Sequence, residues 1–162
     1  MPTIRRLRPK MKDYGIEPDP AGMLDWEWVD SRLRDSRNYW ISTASPDGEP
    51  AAAPVWGVWL DGALWFGVGK TSRKARHLTA NARVVAHLES GDEVVIIQGR
   101  AEPVTDPAAL ETMKPLYAAK YTFEPDMTDP SSLYLRVVPQ VVLAWHEASF
   151  PKTATRFEFD AT

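Results

Sequence analysis

The spacing of apolar positions along the chain changes near residue 38. Before that point, Trp26, Val29 and Leu33 recur every three to four residues, which predicts a short amphipathic helix over 24–37. After it, runs rich in aromatic and β-branched residues predict about six strands. These runs are 39–45, 51–60, 63–69, 83–90, 93–104 and 132–147, and Pro139 is expected to break the last one.

Tight turns between these runs predict antiparallel pairing. Asp61-Gly62 separates two apolar runs and predicts a hairpin. The run 51–60 is apolar on both faces, which favours a closed barrel over an open sheet. Two further helices are predicted, one over 73–81 and one capped by Asp106, in which Pro115 is expected to introduce a kink or an interruption. The predicted class is mainly β (α+β), with six strands and short flanking helices.

Length and composition narrow the class of protein. The chain has 162 residues, which suits a single domain, divided here into a basic N-terminal arm with a helix (1–38) and a barrel (39–162). A net charge of −3 argues against a general nucleic-acid binder, and the absence of cysteine excludes disulfide and thiolate chemistry. With neither a membrane-length apolar run nor a secretory signal in the sequence, the expected location is cytoplasmic.

The N-terminal arm and the tryptophans each allow two interpretations. The basic arm at 5–10 is expected to be mobile, or else to make weak contact with an anionic ligand or partner. The seven tryptophans either pack the core or form a flat wall for a ring-shaped ligand.

The stretch GVGKTSRKARHL, residues 67–78, carries the strongest chemical signal. It is not a nucleotide-triphosphate loop, because Leu64 stands where that motif needs its first glycine. Four cations nevertheless surround the predicted helix start, where positive charge is unfavourable: Lys70, Arg73, Lys74 and Arg76. With Thr71 or Ser72 as the cap, they predict a phosphate site. The alternative is a solvated basic patch.

Other catalytic patterns are absent from the sequence. His77, His87 and His146 lack metal-ligand spacing, so no metal is expected. No serine-nucleophile motif is present, and Glu89 and Asp92 are interpreted as solvated residues flanking a turn. No catalytic residue is therefore named.

The order of features in this part of the chain resembles the pyridoxamine 5′-phosphate oxidase superfamily: a strand, an Asp-Gly turn, a second strand and then Ser72-Arg73-Lys74-Ala75. These proteins are split β-barrel flavoproteins and deazaflavin-dependent reductases. The resemblance runs from about Tyr39 to Phe159 and includes GRAE at 99–102. It implies a split β-barrel and a homodimer with two cofactor sites across its interface.

The resemblance also implies three groups of cofactor-binding residues. They are Ser72, Arg73 and Lys74 for the phosphate; Pro54, Val55, Trp56 and Gly57 along the ring; and Trp145 and Arg156 from the second subunit. The implied cofactor is FMN, with coenzyme F-420 as the alternative, whose acidic tail would suit Lys70, Arg76 and the basic arm.

Three departures set this chain apart from the true oxidases. Val94 replaces a glutamine that contacts the flavin, and the oxidases' Arg-Pro-x-x-Ser stretch and Arg-Leu-Ala-Pro ending are missing. The expectation is therefore a flavin- or deazaflavin-dependent oxidoreductase that passes hydride to a small, flat or conjugated substrate, and not a pyridoxamine phosphate oxidase. The alternatives are a non-catalytic cofactor carrier and a structural barrel that binds neither cofactor.

Overall fold

The computed structural model describes residues 2–161, which form nine β-strands and four α-helices. In chain order the elements are β1 (Ile4–Leu7), α1 (Trp26–Asp35), β2 (Tyr39–Ala44), β3 (Pro50–Val55), β4 (Val58–Leu60), β5 (Ala63–Gly69), α2 (Arg73–Ala80), β6 (Arg83–His87), β7 (Glu93–Pro103), α3 (Pro107–Tyr121), β8 (Ser132–His146), α4 (Phe150–Thr153) and β9 (Thr155–Phe159).

All strand pairs are antiparallel, and the strands form one sheet in the order β1-β9-β8-β7-β6-β2-β3, with β5 pairing β8 and β4 pairing β5. Along one edge, β8 pairs first with β5 through 132–137 and then with β9 through 141–144. The sheet therefore divides at β8. The predicted split-barrel class is confirmed, with nine strands instead of six.

The additional strands arise at the two ends and in the middle of the predicted pattern. The run 51–60 is not one strand, because the chain turns at Trp56-Gly57 between β3 and β4. The tail supplies β9, and part of the basic arm supplies β1, which pairs with β9. Arg8 donates hydrogen bonds to the carbonyl oxygens of residues 19, 21, 152 and 154. The arm is thus bound to the sheet, which its basic composition did not indicate.

The predicted break at Pro139 is wrong, because β8 continues through it for 15 residues. The irregularity is instead a register shift, which falls between Gln98 and Gly99 on β7. Gly99 pairs with Pro139 there, and a β-carbon on Gly99 would clash with the carbonyl oxygen of Val138. A bulge absorbs the proline without ending the strand.

The predicted hairpin at Asp61-Gly62 is confirmed. Both residues have positive φ, 51° and 72°, which matches the mirror-image turns that suit the twist of hairpin strands. This turn sets the register of β4 on β5, with Leu60 opposite Ala63.

The three predicted helices are confirmed as α1, α2 and α3, and two of them have the expected caps. Ser72 Oγ accepts from Ala75 N at 3.2 Å, and Asp106 Oδ1 accepts from Ala108 N at 3.1 Å. Pro115 does not interrupt α3. It is exposed, as is Glu111, so the carbonyl group that a proline leaves without a helical donor lies at the solvent side.

The barrel interior is filled by one apolar cluster, whose largest fully buried members include Tyr39, Phe66, Leu64, Ile97 and Phe157. Val29 and Leu33 of α1 join this cluster and close one end of the barrel. Within residues 2–161, no helix is both long and apolar enough to span a membrane.

Candidate functional site

The start of α2 forms directly after β5, through a short turn. Ser72 N donates to Gly69 O at 3.0 Å, and Lys70 N donates to Ser131 O at 2.9 Å, so the turn is fixed to the start of β8. Of the two hydroxyl residues considered from the sequence, Ser72 provides the cap. The helix therefore begins at a defined place, just after β5 and beside the start of β8.

The cations around this helix start lack acidic partners. None of the four forms an ion pair within residues 2–161, although ion pairs occur elsewhere on the surface. The Arg76 guanidinium donates to Thr71 O at 2.8 Å, whereas the side chains of Arg73 and Lys74 make no hydrogen bond in this part of the chain. No acidic residue occupies the first turn of α2. Cations at the positive end of a helix are destabilising unless an anion binds there.

The opposite face of α2 is anchored in the barrel. Ala75 and Leu78 belong to the core, and buried His77 places Nδ1 at 2.9 Å from Thr43 Oγ1 of β2. His77 is therefore hydrogen-bonded to β2 and holds the helix against that strand. The cationic face is left toward solvent.

The predicted ring-supporting stretch lies on β3 and just beyond it. Within residues 2–161, β3 pairs only with β2, so the backbone groups along its other edge are outside the sheet's hydrogen-bond ladder. Pro54 and Trp56 point outward, while Val55 points into the core. Trp56 is 40% exposed, a high value for the largest side chain.

Gly57 crosses closely over β5. A β-carbon there would lie 2.8 Å from the carbonyl oxygen of Trp65, so no larger residue fits without a backbone shift. Its own backbone groups are bound by α3: Gly57 N donates to the Tyr121 hydroxyl at 2.9 Å, and Lys120 Nζ donates to Gly57 O at 2.9 Å. Gly57 is therefore packed against β5 and hydrogen-bonded to α3.

Lys120 and Tyr121 contact the candidate site at Gly57, and sequence reasoning missed both. Tyr121 fits the apolar period of the helix predicted after Asp106, which by itself indicates only a helix face, and Lys120 has no signal of its own. Their contact with Gly57 spans 63 and 64 residues of chain, which no local period reveals.

Burial perturbs the ionisable groups of this region. Desolvation lowers the pKa of Lys120 to about 8, opposed in part by the charge of Asp35. Desolvation also raises the pKa of Tyr117 to about 12 and the pKa values of Tyr39 and Tyr121 above their usual range. Lys120 Nζ donates to the neutral Tyr39 hydroxyl at 2.7 Å, so this cation has neutral hydrogen-bond acceptors.

The helix start and the Gly57 crossing lie at opposite ends of β5. Trp65 lies under Gly57, and Gly69 precedes the turn into α2, four residues along the strand. At about 3.3 Å per residue the two ends are roughly 13 Å apart. This separation can be spanned by an elongated ligand with a ring at one end and a phosphate at the other.

Trp145 and Arg156 lie on the outer face of the sheet. Arg156 is opposite Leu143, and Trp145 is opposite Val94. Trp145 Nε1 donates to Glu147 at 2.8 Å, and Arg156 Nε donates to Glu158 at 2.8 Å. Three strands separate β8 from β3, about 19 Å along the sheet at ~4.8 Å per strand. One protomer therefore does not bring these two side chains onto β3.

The same outer face is largely apolar between those points. It carries Trp40 stacked on His87 with ring centroids 6.4 Å apart, and Val85, Ile96 and Leu143 on the neighbouring strands. A shallow depression of about 540 Å³ adjoins it near Ser42, Arg83 and Gln98.

Comparisons with known proteins support the fold and identify the family. The sequence model of the family described as Pyridoxamine 5′-phosphate oxidase matches residues 26–146. No curated protein matches the sequence significantly.

The solved structures that resemble the fold include the following three. A conserved hypothetical protein from Mycobacterium tuberculosis is 25% identical, with a TM-score of 0.68 over 76% of this chain and 86% of the other. An F420 reductase is 23% identical, with a TM-score of 0.58 over 70% and 94%. A FAD-binding protein from Mesorhizobium loti is 18% identical, with a TM-score of 0.59 over 95% and 97%.

The family match covers most of the chain, including the strands, the turn and the Ser72-Arg73-Lys74 helix start described above, and this protein belongs to the pyridoxamine 5′-phosphate oxidase family.

Proposed function

We propose that this protein is an oxidoreductase that uses a phosphate-bearing flavin-type cofactor, FMN first, with coenzyme F-420 as the alternative. The observation that carries the proposal is the start of α2, where Arg73 and Lys74 have no partner in residues 2–161 and no acidic residue balances the helix end. A phosphate supplies the missing negative charge. Ser72, Arg73 and Lys74 are its proposed ligands.

The outward edge of β3 is the proposed place for the ring. Pro54, Val55 and Trp56 offer backbone groups outside the sheet ladder, and Gly57, whose backbone is held by α3, fixes the end of this stretch. When bound, the ring supplies hydride transfer chemistry, and the protein contributes binding, orientation and exclusion of water.

A homodimer completes the proposed site. Trp145 and Arg156 share the outer face with β3 but lie too far along the sheet to reach it within one protomer. A second copy packed face to face through a twofold axis would bring its Trp145 and Arg156 toward β3. The apolar residues between them favour such packing.

Two observations bear on the choice of cofactor. The similarity to an F420 reductase and to a FAD-binding protein supports either ring. The basic arm is less suited to an acidic tail than its sequence suggested, because Arg5 pairs with Glu158, Arg6 pairs with Asp25, and Arg8 binds carbonyl oxygens. Lys70 and Arg76 remain as cations for such a tail.

Cofactor titration tests the phosphate site. The wild-type protein is titrated with FMN and with F-420, followed by absorption and calorimetry. The variant Arg73→Ala/Lys74→Ala is expected to weaken binding at least about a hundredfold, since each lost charge-assisted hydrogen bond is worth about 1.5–3 kcal/mol. The control Lys12→Ala/Lys152→Ala removes the same charge from two exposed positions outside the proposed site and should bind normally. Equal affinity of both variants would remove the phosphate assignment.

A charge placed on the outer face tests the dimer. Ile96→Arg should yield a monomer in sedimentation and lose cofactor affinity, because Ile96 lies in the middle of the apolar face. Leu7→Arg, at an exposed position on β1, serves as the control. A monomer that binds cofactor fully would contradict the shared site.

A cofactor carrier without turnover is the second candidate, and the similarity to a protein described only as FAD-binding favours it. Reduction of the bound cofactor by NAD(P)H, followed by reoxidation by a small conjugated acceptor, would identify an enzyme. Stoichiometric binding with neither reaction would identify a carrier.

A further inference from the structure

An exposed aromatic surface lies at the Gly57 end of the proposed ring site. The rings of Trp56 and Tyr121 are nearly parallel, 5° apart in plane, with centroids 4.6 Å apart. Tyr121 covers one face of the indole, so the 40% exposure of Trp56 comes from its other face and its edges. The structure thus presents a flat, rigid aromatic face to solvent.

A cation without an acidic partner lies beside this stack. The guanidinium carbon of Arg37 is 5.6 Å from the Trp56 centroid and 5.4 Å from the Tyr121 centroid. These nearly equal distances place it at the shared edge of the two rings. Within residues 2–161, Arg37 forms no ion pair, whereas nearby Arg34 pairs with Asp30 at 2.7 Å.

A second cation approaches Tyr121 from the helix. Lys120 Nζ is 5.4 Å from the Tyr121 centroid and 4.6 Å from the Tyr39 centroid, and its hydrogen bonds go to neutral oxygen atoms. Asp35 acts on Lys120 through its charge but forms no ion pair with it. Two cations and one nearby carboxylate leave this aromatic surface positive overall. Neither cation is ion-paired within residues 2–161, so both are available to an approaching anion.

We propose that Trp56, Tyr121 and Arg37 form the substrate site, which takes a planar conjugated molecule carrying a carboxylate or similar anionic group. The planar part stacks on the free face of Trp56, and the anionic group binds the Arg37 guanidinium. Lys120 is a positioning residue, because it holds Gly57 and Tyr121 in place. This assignment rests on the proposed function, since it places the substrate at the ring end of the cofactor site and opposite the phosphate end.

Calorimetric binding of two matched probes tests the substrate class. 2-Naphthoate carries the required plane and charge, and 2-naphthamide has the same plane without the charge. The cofactor-loaded protein should bind the acid at least about tenfold more tightly than the amide. Arg37→Gln should remove that preference, Trp56→Ala should weaken both probes, and the control Arg34→Gln should change neither.

Three results would overturn the assignment: no binding of either probe, equal binding of both, or a preference that survives Arg37→Gln. Loss of naphthoate binding when cofactor is added would show that the aromatic face belongs to the cofactor, which also overturns it. The same preparations are also titrated with FMN and F-420. If the cofactor binds normally while the probes fail, only the substrate assignment is overturned. If the cofactor also fails to bind, the proposed function fails.

Discussion

Removal of one hydroxyl group, in Tyr121→Phe, should destabilise the protein by about 1–3 kcal/mol. The hydroxyl accepts from the buried Gly57 N–H at 2.9 Å and donates to a carbonyl oxygen, that of Arg37 or of Gly57. The variant leaves the Gly57 N–H without an acceptor and out of reach of water. A buried, unsatisfied polar group costs about 1–3 kcal/mol, more than the net value of an ordinary hydrogen bond.

Urea denaturation measures this loss. With a slope of about 2 kcal/mol per molar urea, a 2 kcal/mol loss lowers the midpoint by about 1 M. All samples must be compared at one protein concentration, because dimerisation contributes to apparent stability. Tyr134→Phe is the matched control: its hydroxyl donates to Asp126 O at 3.2 Å in an exposed position, where water replaces it, so the midpoint should hardly move. Equal shifts in the two variants would refute the reasoning.

Two further outcomes concern the same crossing. Gly57→Ala should cost about 1–3 kcal/mol through overpacking, because its β-carbon would meet the Trp65 carbonyl oxygen at 2.8 Å and Leu64 at 3.0 Å, whereas Gly69→Ala meets nothing within 4 Å and should be nearly neutral in the same assay. The folded pKa of Lys120, about 8, is below its unfolded value of 10.5, so the unfolded chain holds more protons between these values and stability rises with pH there. The unfolding free energy of the wild type relative to Lys120→Met should therefore increase from about pH 7.5 to 9.5, below the range in which the tyrosines titrate; a flat difference would contradict the burial of this amine.

Local signals predicted the elements whose causes are local. Asp61-Gly62 predicted its hairpin because both residues tolerate the left-handed region, and Ser72 and Asp106 predicted helix starts because their side chains cap the adjacent backbone. The strand count was low for a different reason. Residues 51–60 are apolar throughout, and only contact with β5 requires the chain to turn at Gly57.

The candidate site could be predicted only in part. The charges at 70–76 indicated an anion because their unfavourable position on the helix can be recognised from the sequence. The aromatic surface could not be predicted in the same way, since Arg37, Trp56 and Tyr121 come from three separated segments and meet only through the packing of α3 on the crossing. The phosphate ligands, the ring-supporting residues, Trp145 and Arg156 remain predictions.

The length of β8 has a consequence for how the molecule opens. This one strand pairs with β7 along one edge and with both β5 and β9 along the other, so most of its backbone groups lie between two neighbouring strands. Its amide hydrogens therefore exchange with solvent only in large opening events, whereas those of β1 and β3, each with a single strand partner in residues 2–161, are released by local fraying. The proposed ring strand thus belongs to the most easily loosened part of the sheet, and the turn that enters α2 is tied to its most persistent part.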